Sequence, residues 1–197
     1  MPRSLLRLLL VPALACMATA GSAVASDAAL RPFVDRLIAD TMALYTSALP
    51  DGAAREHGRR LLGRFFDMAG MAREALGPPW DTASPAERQA FRAAFEERII
   101  NAFVHGAGAG GNVAMVLVGT RPERSGTQLA ATRLIFPERP EQTWIWRLRP
   151  AGNGWRVVDL LIDGRSTLAA ERDEYARVLA FHNGDMAALI AFVRNRK

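Results

Sequence analysis

Four residues, Ser84-Pro85-Ala86-Glu87, fix the start of a long helix, and this constrains the fold more than any other feature of the 197-residue chain. Ser84 and Glu87 form a capping box, in which both side chains satisfy backbone donors at the helix start, and Pro85 occupies the first helical position. After this start, large apolar side chains recur every four residues: Phe91, Phe95, Ile99 and Phe103. Such a stripe usually packs in an ordinary core, and contact with a ligand is the alternative.

The rest of the chain divides into helical and strand-like segments around this helix. Apolar spacing predicts earlier helices from Leu30, after Gly52 and from Asp67, and two final helices over Ser166–His182 and Asp185–Arg196. Between them lie four β-rich runs separated by turn residues: Asn112–Val118, Gln128–Phe136, Gln142–Arg149 and Trp155–Ile162. Because the connections are short, the runs favour an antiparallel meander. The sequence therefore predicts an α+β fold with a four-stranded antiparallel sheet and about six helices.

The first 25 residues have the composition of a secretory signal peptide. Arg3 and Arg7 precede an apolar run over Leu8–Ala20, and small residues end it at Ala23-Val24-Ala25. A membrane anchor is the alternative, but Pro12 and the small residues leave the apolar run shorter than the roughly 20 residues that cross a bilayer. We therefore expect cleavage after Ala25 and a single domain over 26–197.

The expected mature chain has little capacity for redox, thiol or nucleic-acid chemistry. Its 26–197 segment contains no cysteine, because Cys16 belongs to the predicted signal peptide. Loss of Arg3 and Arg7 lowers the formal net charge from +5 to +3, and the remaining basic residues are spread along the chain. Binding to nucleic acid is not expected, since no basic stripe with interleaved aromatic residues is present.

No arrangement of residues predicts a catalytic or metal site. The three histidines, His57, His105 and His182, are scattered, and none has a second ligand at metal-binding spacing. Asp159 and Asp163 flank an apolar tripeptide, but we expect Asp159 to be paired structurally and Asp163 to form a turn with Gly164. We therefore predict a binding protein, not an enzyme, with no cofactor and no metal. A small hydrolase whose residues converge only in three dimensions is the catalytic alternative.

Two segments of the chain resemble the MlaC family, also called the toluene-tolerance family, of periplasmic lipid carriers in Gram-negative bacteria. The first segment, Leu76–Phe103, has the family's Leu-Gly, an aromatic residue three positions after the glycine, and Ser-Pro-x-x-Arg before an aromatic-rich helix. The second, Gly152–Arg196, is similar to the family's closing strand, its short turn containing serine and its two final helices. Together these segments cover much of the expected mature chain.

The resemblance implies a fold, a cargo and partners. In the family, a curved sheet with an NTF2-like core and the surrounding helices enclose an apolar cavity that holds the acyl chains of a phospholipid. A periplasmic, monomeric carrier is implied, which exchanges lipid with an outer-membrane lipoprotein complex and with an inner-membrane ABC transporter complex that includes a lipid-binding ring protein. The bound lipid is cargo, so the resemblance implies no cofactor.

Matching positions in the family assign residues to the cavity. Trp80, Phe103, Trp144 and Trp146 are the expected aromatic walls, and an ordinary filled core is the alternative for each. Further apolar residues are expected to support them: Phe95, Ile99, Met115, Leu117, Leu134, Val158 and Leu160. At the mouth, Arg147 or Arg165 is expected to meet a headgroup phosphate, although a surface arginine is more often simply solvated.

Three departures from the family pattern bear on the cargo. Trp80 replaces a tyrosine, Arg165 replaces a small aliphatic residue, and the connector Gly106–Gly111 is unusually rich in glycine. One branch of the family is associated with bacteria that produce hopanoids, so a hopanoid or another polycyclic lipid is an alternative cargo. A periplasmic adaptor that binds only protein is the alternative function.

Overall fold

The computed structural model of this protein describes residues 20–107, 112–123, 126–138, 140–152 and 154–196. These residues form an α+β fold with seven helices and one antiparallel sheet. The helices are α1 (Ala20–Thr46), α2 (Asp51–Phe65), α3 (Met68–Leu76), α4 (Pro79–Thr82), α5 (Pro85–Ala107), α6 (Thr167–Phe181) and α7 (Met186–Asn195). The strands are β1 (Ala114–Pro122), β2 (Gln128–Ile135), β3 (Gln142–Ala151), β4 (Gly154–Ile162) and β5 (Arg165–Ser166).

The predicted α+β class and the four predicted strands are confirmed, but a sheet of four strands is wrong. The sheet has five strands in the order β1-β2-β3-β4-β5. Asp163 and Gly164 both adopt positive φ, 49° and 81°, and reverse the chain so that Arg165 and Ser166 pair with the end of β4. A strand of two residues is too short to show alternation in a sequence, and for this reason it was predicted as a turn. The helix α4, of four residues, is also absent from the six that the sequence predicts.

Side-chain caps set the helix starts as the sequence predicts. Ser84 donates its backbone N–H to Glu87 Oε2 over 2.7 Å, and Glu87 N–H donates to Ser84 Oγ over 3.3 Å, which confirms the capping box. Asp67 caps α3 by accepting from the N–H of Gly70, and Ser166 caps α6 by accepting from the N–H of Ala169. These caps hold α3, α5 and α6 at defined starts, and all three helices pack in the layer that covers the sheet.

The face of the sheet that packs against the helices carries its large aromatic residues. Trp144 and Trp146 in β3 are buried on this face, where Trp146 meets Phe66 edge-on at 6.3 Å between ring centroids. Phe103 from α5 contacts Phe66 at 5.6 Å and Trp144 at 6.4 Å. Register shifts at Leu117/Gly119 and at Arg147/Leu148 interrupt the regular pairing. Such bulges bend strands locally.

Two predictions fall largely outside the described residues. The predicted signal peptide covers residues 1–25, and of these the structure describes only the start of α1, which begins at Ala20. Of the glycine-rich connector over 106–111, the structure describes only the first two residues, Gly106 and Ala107. Within the described part of the chain, no helix combines the length and the apolar character needed to cross a bilayer.

Candidate functional site

A cavity of about 290 Å³ lies between α5, the start of β3, the end of β4 and the start of α6. On its α5 side it is lined by Phe95, Arg98, Ile99, Ala102, Phe103 and Gly106. Across from them, the sheet contributes Trp144, Leu160 and Ile162, and α6 contributes Thr167, Leu168 and Glu171. Tyr45, Phe66 and Met71 complete the wall. The lining is therefore mostly apolar and aromatic, with a few polar groups.

The structure brings five of the predicted site residues together around this cavity. They are Phe95, Ile99, Phe103, Trp144 and Leu160. The first three lie on α5 and belong to the apolar stripe that follows the capping box, so that one helix face serves both as core and as cavity wall. Trp144 and Leu160 come from neighbouring strands and face this stripe.

The other apolar residues predicted for the site lie away from the cavity. Trp146 is fully buried, and its indole N–H is bound to Thr132. Trp80 is half-buried within α4, where Arg88 covers its ring at 5.9 Å and donates to its carbonyl oxygen over 2.8 Å. The remaining four lie on strands: Met115, Leu117 and Leu134 pack in or beside the core, and Val158 is half-buried in β4. These residues support the fold around the cavity but do not form its wall.

The two arginines expected at a headgroup are also apart from the cavity. Arg147 donates to Glu123 over 2.8 Å and to Asp159 over 2.7 Å, and the Asp159 carboxylate also accepts from the backbone N–H of Leu168. Hydrogen bonding from Arg147 lowers the pKa of Glu123. Arg165 is exposed on β5. Arg147 thus joins three segments of the fold, and the structural pairing expected of Asp159 is confirmed.

The sequence prediction missed a buried ion pair in the cavity wall. Arg98 in α5 donates from Nη2 to Glu171 Oε1 in α6 over 3.0 Å, and the two side chains are only 14% and 11% exposed. Arg98 follows Phe95 by three residues and precedes Ala102 by four, which places a charge inside the apolar stripe. Glu171 occupies the equivalent position between Leu168 and Tyr175. Opposite charges inside two apolar stripes were the available signal for this pair.

Glu171 is the centre of a wider polar cluster behind the cavity. Its second oxygen, Oε2, accepts from Arg196 Nη1 over 3.1 Å, and Arg196 also pairs with Glu174. Burial raises the pKa of the Tyr175 hydroxyl, and the nearby Glu171 carboxylate acts in the same direction. Buried charges must be paired to be tolerated, and Glu171 has a partner on each oxygen.

This geometry is suited to holding an apolar molecule. Each CH₂ group removed from water gains about 0.8 kcal/mol, and aromatic walls supply large contact areas. The indole N–H of Trp144 is satisfied by Gln142 over 3.2 Å. Among the side chains that the structure describes, no three His, Cys, Asp or Glu residues are grouped so as to hold a metal ion. The lining is therefore suited to binding an apolar molecule, and the Arg98–Glu171 ion pair forms its one charged part.

Comparisons with known proteins agree with this description. A phospholipid-binding protein from Ralstonia solanacearum, solved in complex with a phospholipid, has a similar fold with a TM-score of 0.69. It is 18% identical, and the similarity covers 82% of this chain and 93% of that one. No curated protein matches this sequence. The family model described as MlaC protein matches residues 39–195, and because this match spans most of the chain, the protein belongs to the MlaC family.

Proposed function

We propose that this protein is a non-catalytic carrier that holds the acyl chains of a phospholipid in the cavity between α5, α6 and the sheet. The observation that carries the proposal is the cavity itself, whose walls include Phe66, Phe95, Phe103, Trp144 and Leu160. Membership of the MlaC family supports it, as does the similarity in fold to a protein that binds phospholipid.

Shielding of the acyl chains is the physical task of such a carrier. Exposing a chain of about 16 carbons to water costs on the order of 10 kcal/mol at about 0.8 kcal/mol per CH₂, so desorption from a membrane requires an apolar shelter. The cavity of about 290 Å³ lies at the lower end of the range for ligand sites. We therefore expect its walls to move apart when a two-chain lipid enters. In this proposal the NTF2-like sheet curves around the loaded cavity.

The proposed pathway is periplasmic. After removal of residues 1–25, the domain over 26–197 acts as a monomer between membranes. It exchanges phospholipid with an outer-membrane lipoprotein complex and with an inner-membrane ABC transporter complex that carries a lipid-binding ring protein. Family membership supports this pathway, and the signal-like composition of the first 25 residues supports export.

Native mass spectrometry of the protein purified from the periplasm of a Gram-negative host tests the proposal. We expect one phospholipid bound per protein, identified after denaturing extraction. A stoichiometric hopanoid or other polycyclic lipid would instead favour the alternative cargo. A lipid-free protein that takes up no lipid from phosphatidylethanolamine–phosphatidylglycerol vesicles would contradict the carrier function and favour an adaptor.

A further inference from the structure

Side chains of α5 and α6 contact each other next to the cavity. Phe91 and Tyr175 meet edge-on at 5.6 Å between ring centroids, and further along the two helices Arg98 meets Glu171. These contacts show that the two helices run antiparallel. Arg98 and Glu171 belong to the lining of the cavity, whereas Phe91 and Tyr175 do not. The ion pair therefore marks the edge of the cavity.

Arg98 has a hydrogen-bond donor to spare at this edge. Its Nη2 donates to Glu171, but its Nε is buried, and no acceptor among the described residues lies within hydrogen-bonding reach of it. A guanidinium offers five N–H donors in a fixed plane, and buried donors in native proteins are nearly always satisfied. Because Arg98 lines the cavity, a molecule in the cavity is the natural source of an acceptor.

The charge on Glu171 remains compensated when Arg98 turns toward a ligand. Arg196 donates to the other carboxylate oxygen of Glu171, and Arg196 is not part of the cavity wall. The carboxylate therefore keeps one cationic partner while Arg98 contacts a second acceptor. This arrangement lets Arg98 bind a ligand without leaving a buried carboxylate unpaired.

We propose that Arg98 is a specificity-determining residue, which donates a hydrogen bond to an ester or phosphate oxygen of a glycerophospholipid in the cavity. The inference rests on the proposed function and adds a rule for selecting cargo. A lipid with oxygen atoms next to its apolar part satisfies Arg98, whereas a purely hydrocarbon molecule leaves the donor buried without a partner.

Retention of two probes by matched variants tests this role. The protein is incubated with vesicles of phosphatidylcholine and phosphatidylglycerol, and bound phosphatidylglycerol is measured by mass spectrometry. Diphenylhexatriene, which contains no oxygen, is measured by fluorescence. We expect Arg98→Met to retain about tenfold less phosphatidylglycerol and to bind diphenylhexatriene within about twofold of the wild type. Equal retention of phosphatidylglycerol by Arg98→Met and the wild type would overturn the proposal.

Arg196→Met is the matched control, because it removes the other arginine on Glu171 without changing the cavity wall. Because Glu171 then competes more strongly for Arg98, we expect a smaller loss of phosphatidylglycerol than in Arg98→Met, about two- to threefold, and binding of diphenylhexatriene within about twofold of the wild type. An equal loss in both variants would show that Arg98 acts only by holding Glu171. If the wild type binds diphenylhexatriene but takes up no phospholipid, the proposed function itself fails.

Two further measurements keep the role of Arg98 open to refutation. If Arg98→Met does not fold, Glu171→Gln carries the test. It weakens the competing acceptor and should increase retention of phosphatidylglycerol about threefold, and unchanged or lower retention would contradict the proposal.

Diacylglycerol and an ether-linked phosphatidylglycerol then identify the acceptor. If Arg98 binds the phosphate, the loss of retention in Arg98→Met should disappear with diacylglycerol. If it binds the ester, the loss should disappear with the ether lipid. A loss that persists with both lipids would count against the proposal.

Discussion

The indole N–H of Trp146 donates a hydrogen bond to the hydroxyl of Thr132 over 3.1 Å, inside the fully buried part of the sheet. Thr132 in turn donates to the carbonyl oxygen of Trp144, also over 3.1 Å. One threonine therefore satisfies the indole of a core tryptophan and is tied to the backbone of the tryptophan that lines the cavity.

Replacement of this threonine by an isosteric apolar residue should destabilise the protein. In Thr132→Val the indole N–H of Trp146 stays buried without an acceptor, so we expect the free energy of unfolding to fall by about 1–3 kcal/mol. Urea denaturation followed by circular dichroism measures the change. Thr143→Val, at an exposed position of the neighbouring strand, is the control and should change stability by no more than about 0.5 kcal/mol. Equal stability of the two variants would refute the assigned role of Thr132.

Gly106 is required by the close approach of a cavity-lining tyrosine. A Cβ atom at Gly106 would lie 2.5 Å from the hydroxyl oxygen of Tyr45, whose ring meets Trp144 edge-on at 6.1 Å. We therefore expect Gly106→Ala to displace Tyr45 and to lower phospholipid retention at least twofold, as measured by lipid extraction.

A second helical glycine provides the control for this change. A Cβ atom at Gly63 in α2 meets nothing within 4 Å. Gly63→Ala should therefore stabilise the helix by about 0.5–1 kcal/mol in a thermal or urea transition, with retention unchanged. If Gly106→Ala retained lipid as well as Gly63→Ala does, the displacement of Tyr45 would have no functional consequence.

Trp144 should report directly on the bound chains. It lines the cavity, whereas Trp155 is buried in β4 outside the lining. Phospholipids brominated on the acyl chain should therefore quench the tryptophan fluorescence of the wild type, and Trp144→Phe should lose more than half of this quenching. Trp155→Phe is the control and should keep most of it. Persistence of full quenching in Trp144→Phe would show that the chains lie elsewhere.

The ion pair between Glu123 and Arg147 should make stability depend on pH. Because Arg147 lowers the pKa of Glu123 in the folded state, the carboxylate stabilises the fold above its unfolded pKa of about 4.3, and this contribution is lost as pH falls through the lower folded value. We expect the free energy of unfolding of the wild type to exceed that of Glu123→Gln by about 1 kcal/mol at pH 7. This difference should shrink below about pH 4.

Urea denaturation at pH 7, 5 and 3 checks this dependence. Glu141→Gln is the control, since Glu141 is more than half exposed and lies 3.8 Å from Arg133. It should change stability at pH 7 by less than about 0.5 kcal/mol. A stability difference between the wild type and Glu123→Gln that is constant from pH 7 to pH 3 would contradict the assigned role of the ion pair.

Local chemistry made the helix starts and the order of the elements predictable. The capping box at Ser84 and Glu87 needs only two side chains three residues apart at a helix start, and its hydrogen bonds form as expected. The four long strands were predictable for a similar reason, because turn residues bound each apolar run. The two-residue strand β5 was not, since its pairing depends on how the chain reverses at Asp163 and Gly164.

The cavity was predictable only in part. Periodicity in the sequence shows which residues share a face of a strand or helix, but not which of them line a cavity and which pack in the core. Trp144 and Trp146 share one face of β3, yet only Trp144 lines the cavity, since Trp146 packs against Phe66 in the core. Three residues of the stripe on α5, Phe95, Ile99 and Phe103, line this space. The apolar pattern of α5 does not reveal the role of Arg98, which depends on Glu171 from a distant helix lying beside it.

The order of the sheet has a consequence for how the chain folds. Every pairing in β1-β2-β3-β4-β5 joins strands that are neighbours in sequence, so the sheet can assemble from successive hairpins with little loop-closure cost. The cavity cannot, because α5 precedes the sheet and α6 follows it. We therefore expect the space between these helices to be completed only after the C-terminal segment has docked, so that a chain still being synthesised has no closed apolar cavity.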